Sequence, residues 1–423
     1  MAARGPNRRA VLGALAASGL LSGQAAFAQA APKLVVIGGG FGGATAARAL
    51  KAYVPAADVT LVEPGERYYA CPFSNLVVAG LRALSEQQFD YADMAAVGIR
   101  HVAARAASVD ASARDVTLED GSTLKYDRLV LSPGIDMRWS ALEGYDETAT
   151  SAMPHAWKAG AETLRLRDQL RAMDEGGVVV MSAPAAPYRC PPGPYERASL
   201  IAHYLKMEKP RSKLIILDAK DQFSKMPLFL SEWSARYGTL IEWRGAADDG
   251  RVVRVDPQNM TLHTDFDDQR ADVANIIPPQ KAAAIADAAG VSDSTGWCPV
   301  NPVTFESTLQ PNIHVIGDAI IAAPMPKSAF SANLQAKVCA IQIARTLAGA
   351  EPAPTVLTNT CYSYVAPDAA VSISGVYSNE MRFADVPGAG GLSPLDASAA
   401  ERAAEATQAQ AWFDAITGET FGA

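Results

Sequence analysis

The first strongly patterned stretch of the chain is Lys33-Leu-Val-Val-Ile37, whose continuous apolar run fits a strand buried on both faces of a parallel sheet. Glycines stand at 38, 39, 40, 42 and 43, then an alanine-rich segment runs to about Tyr53, then Asp58-Val-Thr-Leu-Val-Glu63. This order predicts strand, glycine turn, helix, strand. Alternation over 115–118 and 121–126 predicts a hairpin, and Arg128-Leu-Val-Leu131 a buried strand ending in the turn Ser132-Pro-Gly134. A second α/β unit follows, with a helix over 161–173, a strand at Val178-Val-Val-Met181, a helix beginning near Tyr195 and a strand over 213–218. The chain is expected to return to the first unit near Asp272. There Asn312-Ile-His-Val-Ile-Gly-Asp318 is expected to form a strand ending in Gly-Asp, and a helix covers 328–347. The tail from Glu351 shows strand-like alternation over 371–377 and an alanine-rich helix carrying Trp412 and Phe413. The expected fold is α/β, with two Rossmann-like units and a C-terminal α+β domain. No repeats are evident.

The first unit carries a dinucleotide fingerprint. Gly38 permits the tight turn, Gly40 lets the backbone approach a pyrophosphate, and Gly43 lets the helix pack closely on the strand. The helix N-terminus offers free N–H groups to the phosphates, and Glu63 is placed to accept hydrogen bonds from ribose hydroxyls. A lone glycine loop is weak evidence; the strand before it, the helix after it and the acid beyond make it specific.

Composition narrows the classes. The 423 residues, 49% hydrophobic and 19% charged, suit an ordered protein of two or three domains. A net charge of −8 argues against nucleic acid as a partner, while a basic protein patch could be steered towards the chain. Residues 1–30 are read as an export signal. Arg8-Arg9 precedes an apolar run from Val11 to Leu21 and small-x-small sites at Ala26-Phe-Ala28 and Ala28-Gln-Ala30. Asn7-Arg-Arg-Ala-Val-Leu12 resembles a twin-arginine signal, and the periplasm is the expected destination. The run is too short to span a bilayer and nothing later is longer, so no stable membrane insertion is expected.

Five cysteines stand at 71, 190, 298, 339 and 361, an odd number that leaves at least one unpaired within the chain. No Cys-x-x-Cys-His occurs, so the chain carries no c-type haem of its own. The five histidines show no metal-ligand spacing, and no metal is expected. Where a pyridine-nucleotide enzyme would place its second glycine loop, after Met181, the chain reads Ser182-Ala-Pro-Ala-Ala-Pro-Tyr-Arg-Cys190-Pro-Pro-Gly-Pro-Tyr-Glu196-Arg-Ala. Proline has no N–H to offer a phosphate. The second unit thus has the frame of an NADH site without the means to hold the cofactor. Cys190 precedes a helix start, where the dipole favours a thiolate. Taken alone, Cys71 is a buried thiol and Glu196 a solvated acid in a first helical turn.

Several stretches together change that picture: Gly38 to Gly43, Tyr68-Tyr-Ala-Cys71 with Ser74-Asn75, Met153-Pro-His-Ala-Trp-Lys-Ala-Gly160, Arg189-Cys-Pro-Pro-Gly-Pro-Tyr-Glu-Arg-Ala-Ser199, Gly296-Trp-Cys-Pro299, His314-Val-Ile-Gly-Asp318, Pro324-Met-Pro-Lys-Ser328 and Asn359-Thr-Cys-Tyr-Ser363. They resemble the flavoprotein subunit of flavocytochrome c sulfide dehydrogenase, from about residue 33 to the C-terminus. The resemblance implies FAD, held by a thioether from Cys71 to the flavin 8α carbon. It implies a redox-active disulfide between Cys190 and Cys361, with Glu196 as a nearby proton acceptor. Asp318 matches the acid that meets the ribityl chain, Ser132 to Gly134 a turn near the cofactor, with Gly317 beside Asp318, and Trp412 an aromatic near the active site. The implied activity is oxidation of sulfide, with electrons leaving to a separate c-type cytochrome subunit in a heterodimer.

The implied domains are a FAD-binding part over 31–145, an NADH-domain-like part over 146–272, a second FAD-binding part over 273–350 and a C-terminal domain over 351–423. The alternatives are a sulfide:quinone oxidoreductase, a non-catalytic sulfur-related FAD subunit and, third, an NADH-dependent disulfide reductase. Cys298 and Cys339 are expected to be buried and inert.

Overall fold

The computed structural model describes residues 30–422, so the expected export signal lies, but for its last residue, outside the described residues. The strand Lys33–Ile37 sits in the middle of a five-stranded parallel sheet, between Asp58–Val62 and Arg128–Leu131, with Ile99–Val102 and Ile313–Val315 at the edges. Its last four residues are buried, as the unbroken apolar run requires. The helix Phe41–Tyr53 packs on this sheet and against the long helix Ala329–Leu347.

The second sheet is also parallel, in the order Ile241–Arg244, Lys213–Asp218, Val178–Ala183, Val273–Ile276. The return expected near residue 272 therefore falls one strand early. Val273–Ile276 pairs with Val179 to Ser182, and its four residues are all buried, so hydrogen-bond laddering and burial keep it in the second lobe. The helices Gly193–Glu208 and Met226–Arg236 cover this lobe.

The C-terminal part is an antiparallel sheet of Val356–Ala366, Ala369–Ser378 and Ala384–Leu392, backed by the helix Ala399–Phe421. The third strand was not expected. It contains Pro387 and three glycines, which read as a turn, but it lies at an exposed edge where both residue types are tolerated. The last helix is closed at its start by a capping box, with Ser398 and Glu401 each bonding the other's backbone N–H.

The sheet and the glycine-loop helix meet at Gly43. A methyl group there would stand 1.7 Å from the Gly38 carbonyl oxygen, and neither backbone can move without opening the turn. Gly43→Ala is expected to lower unfolding free energy by at least about 2 kcal/mol. Urea denaturation of the variant checks this, and a value within about 0.5 kcal/mol of wild type contradicts the packing.

Candidate active site

Both lobes and the C-terminal sheet contribute walls to a cleft of about 370 Å³. Its floor is the glycine turn. Gly38 has a left-handed backbone with its Cα against the Ser132 carbonyl, and a methyl on Gly40 would stand 3.3 Å from the Tyr68 ring, within the cleft. Glu63 reaches back across the turn and accepts from the Gly39 and Gly65 N–H groups at 2.8 and 3.1 Å. Its position is fixed while lone pairs remain for ribose hydroxyls.

On the opposite wall Gly317 donates its N–H to Gln335 at 2.7 Å, which leaves the next residue, Asp318, facing the cleft. Burial raises the Asp318 carboxyl above its ordinary value against the pull of Arg189 and Lys327, and its Oδ1 has no partner. The indole N–H groups of Trp157 and Trp412, both lining the cleft, are likewise buried and unpartnered. Buried polar groups are normally satisfied, so a glycine floor bordered by two free donors and a free carboxylate oxygen fits a bound FAD. Gly38, Gly40, Glu63, Ser132, Gly134 and Asp318 line the cleft and would hold it.

Cys71 lies at the side of this cleft, its sulfur 3.8 Å from the Trp157 carbonyl. The Arg189 guanidinium lies 4.0 Å from the Asp318 carboxylate. The next residue, Cys190, has a left-handed backbone and is tied by its N–H to Lys327 O and by its carbonyl to Gly193 N, both at 2.8 Å. Phe73, Ala156 and Lys225, around the same region, share the left-handed conformation. Non-glycine residues held this way cost roughly 1–2 kcal/mol each, and such strain gathers at functional sites.

Glu196 enters one helical turn later and is buried, not solvated. Asn75 donates to its Oε2 at 2.7 Å and the Tyr364 N–H to its Oε1 at 2.9 Å. Burial raises its carboxyl; those two donors, Lys225 and Arg197 oppose the rise. Cys361 arrives from the C-terminal strand, in register with Ile373, and lines the same cleft as Cys190. Both are free thiols in this structure, as are Cys71, Cys298 and Cys339, so the expected disulfide is not formed here.

The thiolate expected at Cys190 is corrected. Burial, then the proximity of Cys361 and Glu196, push its thiol well above the ordinary range, with Lys225 and Arg189 opposing. Cys298 and Cys339 are fully buried; burial raises the Cys298 thiol to about 12 and carries that of Cys339 higher still.

In the second lobe the corresponding acid is already engaged. Asp218 ends the strand Lys213–Asp218 as Glu63 follows its counterpart, but it is fully buried and already bonded to Tyr195, Trp243 and Lys220. Tyr195 stacks on Phe223 with ring centroids 3.6 Å apart.

All the expected site residues except Gly43 line this one cleft; Gly43 lies behind it, against Gly38. Arg189, Asn75, Trp157 and Tyr68 lie within the resembling stretches but were not singled out. Lys225 carried no signal, since one lysine in a loop reads as a solvated charge. Among the described residues no cluster could hold a metal ion.

Fold and cleft define an FAD-dependent oxidoreductase of the two-lobed disulfide-reductase type. Residues 163–278 match the family model of the central part of the sulfide dehydrogenase [flavocytochrome c] flavoprotein chain. Residues 353–421 match the flavocytochrome c sulphide dehydrogenase flavin-binding model, and residues 32–172 that of pyridine nucleotide-disulphide oxidoreductases. The flavoprotein chain of sulfide dehydrogenase from Chlorobaculum thiosulfatiphilum is 53% identical over 45 residues, 11% of this chain and 94% of that sequence. The mitochondrial sulfide:quinone oxidoreductase of Mus musculus is 24% identical over 328 residues, 72% of this chain and 69% of the relative. The sulfide:quinone oxidoreductase structure from Aquifex aeolicus aligns over 93% of both chains with a TM-score of 0.73 at 16% identity, a likeness of fold. The chain belongs to the family of flavocytochrome c sulfide dehydrogenase flavoproteins.

A raised carboxyl means that folding binds a proton near Glu196. Its stabilising effect is therefore full below the ordinary glutamate range and is lost as pH rises through the folded value. Relative to wild type, Glu196→Gln is expected to become steadily more stable as pH rises from about 4.3. Denaturation series across pH measure this, and a stability difference independent of pH contradicts it.

Proposed function

We propose that this protein oxidises sulfide at a Cys190–Cys361 pair beside covalently held FAD and passes the electrons to a separate c-type cytochrome subunit. The observation that carries the reading is one cleft holding the glycine cradle, both thiols and a buried glutamate. With the pair oxidised, hydrosulfide breaks the S–S bond, leaving a persulfide on one sulfur and a thiolate on the other. Glu196, held by Asn75 and the Tyr364 N–H, is placed to take a proton from hydrogen sulfide. The Arg189 guanidinium offsets the negative charge of Asp318, 4.0 Å away. FAD, bound there, supplies the acceptor for the electron pair.

Cys71 is the proposed thioether, on its place at the cleft wall. Export by the twin-arginine route to the periplasm is proposed on the N-terminal sequence. The acceptor is taken to be another chain because no haem-attachment motif occurs here. Quinone is the second reading, favoured by the relatives that match over most of the chain. No described helix is long and apolar enough to cross a membrane.

Acid precipitation of the purified protein tests attachment: yellow colour is expected to stay with the polypeptide and to be released in Cys71→Ser. Cys190→Ser is expected to keep the colour and lose anaerobic bleaching by sulfide at least a hundredfold. Bleaching at the wild-type rate in that variant defeats the cysteine mechanism. Reduction of a soluble quinone with no response to cytochrome c supports the second reading instead.

A further inference from the structure

Lys225 lies in the segment before the helix Met226–Arg236, far in sequence from either reactive cysteine, yet it is 3% exposed. Its backbone is left-handed. The ammonium donates to Ser363 Oγ at 2.8 Å, to the Cys361 carbonyl at 3.2 Å and to the Val371 carbonyl at 3.3 Å. Ser363 follows Cys361 by two residues on the same strand, so the charge is held against the Cys361 side of the pair.

A second group converges there. Asn359, two residues before Cys361, accepts at Oδ1 from the Ser328 and Ser331 hydroxyls at 2.6 and 3.1 Å. Its amide is left to donate to the Cys361 sulfur at 3.4 Å. The Ser328 hydroxyl is itself oriented by the Ser331 N–H, so the amide is fixed. A buried ammonium is costly unless anions face it. Burial lowers the Lys225 ammonium, and Cys361, Glu196, Cys190 and Glu405, in that order of effect, oppose the fall. No comparable arrangement touches the Cys190 sulfur. Its neighbours include the same Lys225 and Arg189, but burial and the anions outweigh them.

We infer that Lys225, with Asn359, is a positioning residue that makes Cys361 the sulfur released as thiolate and so directs hydrosulfide to Cys190. This rests on the proposed disulfide chemistry. In the step, the Cys190–Cys361 bond breaks and a new S–S bond joins the incoming sulfur to Cys190. The electron pair of the broken bond stays on Cys361, with one negative charge on each side of the reaction. A better-stabilised leaving thiolate departs faster, which sets the direction of attack.

The test uses the full flavoprotein, anaerobically reduced and alkylated with iodoacetamide across pH, the modified cysteine being located by peptide mass spectrometry. Wild type is expected to react first at Cys361. Lys225→Gln keeps hydrogen-bonding capacity but removes the charge. It is expected to slow Cys361 alkylation at pH 7 about tenfold and to move the reaction midpoint up by about one pH unit. Lys225→Arg is expected to restore the wild-type profile, as a merely structural role would not require. Asn359→Ala provides an independent variant, with a threefold or greater slowing expected. An unchanged midpoint in folded, yellow Lys225→Gln, or reaction first at Cys190 in wild type, overturns the inference. Counting thiols before and after reduction separates the two levels. A pair that never oxidises defeats the proposed function, whereas a pair that oxidises but ignores Lys225 defeats only this assignment.

Discussion

The site depends above all on one buried cation. Arg197, 2% exposed, donates to Asn75 Oδ1 at 2.9 Å, to the His155 carbonyl at 2.8 Å, to Asn275 Oδ1 at 2.9 Å and to the Ala156 carbonyl at 2.6 Å. Its guanidinium lies over the Trp157 ring at 5.0 Å. These partners come from the short helix after Cys71, the segment joining the lobes, and a strand of the second sheet. A single planar donor thus fixes the start of the helix Gly193–Glu208 against both lobes. Because the amide oxygen of Asn75 is committed to Arg197, its N–H is directed to Glu196. Removing such a fully bonded buried charge leaves its partners unsatisfied, typically at several kcal/mol. The cleft geometry is therefore a consequence of core hydrogen bonding rather than of loop conformation.

The same helix start explains how a nucleotide-type lobe is adapted to thiol chemistry. A second dinucleotide would need a glycine loop above Gly193 and an open acid at the end of the second strand. Prolines occupy the loop, and Asp218 is buried under Tyr195, Trp243 and Lys220. What faces the cleft from that place is Cys190, held in a strained backbone by Lys327 and Gly193. Glu196 is opposed by Lys225 and Arg197, and Asp318 by Arg189 and Lys327, which allows negative charge to form in a largely buried space.

Much of the architecture could be read from the chain. The run Leu34 to Ile37 and its glycines specify a buried parallel strand and its turn, because few other structures accept four apolar residues followed by that many missing side chains. The Pro-rich replacement after Met181 was legible for the same reason. What escaped was set by contacts distant in sequence. The strand Val273–Ile276 joins the second sheet through pairing with residues some ninety positions earlier. Ala384–Leu392 becomes a strand only because Ile373 to Ser378 offers it an edge. At Cys190 the raised thiol follows from burial and from Cys361 and Glu196 nearby, none of which the local sequence displays. Lys225 is invisible in sequence because its importance lies in the Cys361 strand folding over it.

The central claim is that the two thiols facing this cleft act as one redox unit in place of a second nucleotide. Peptide mapping of the air-oxidised protein under non-reducing conditions tests it most directly. The account predicts one cross-link, joining the peptide with Cys190 to the peptide with Cys361, which disappears when sulfide is added anaerobically. Two unlinked thiols before and after sulfide, or a cross-link that sulfide leaves intact, would contradict it.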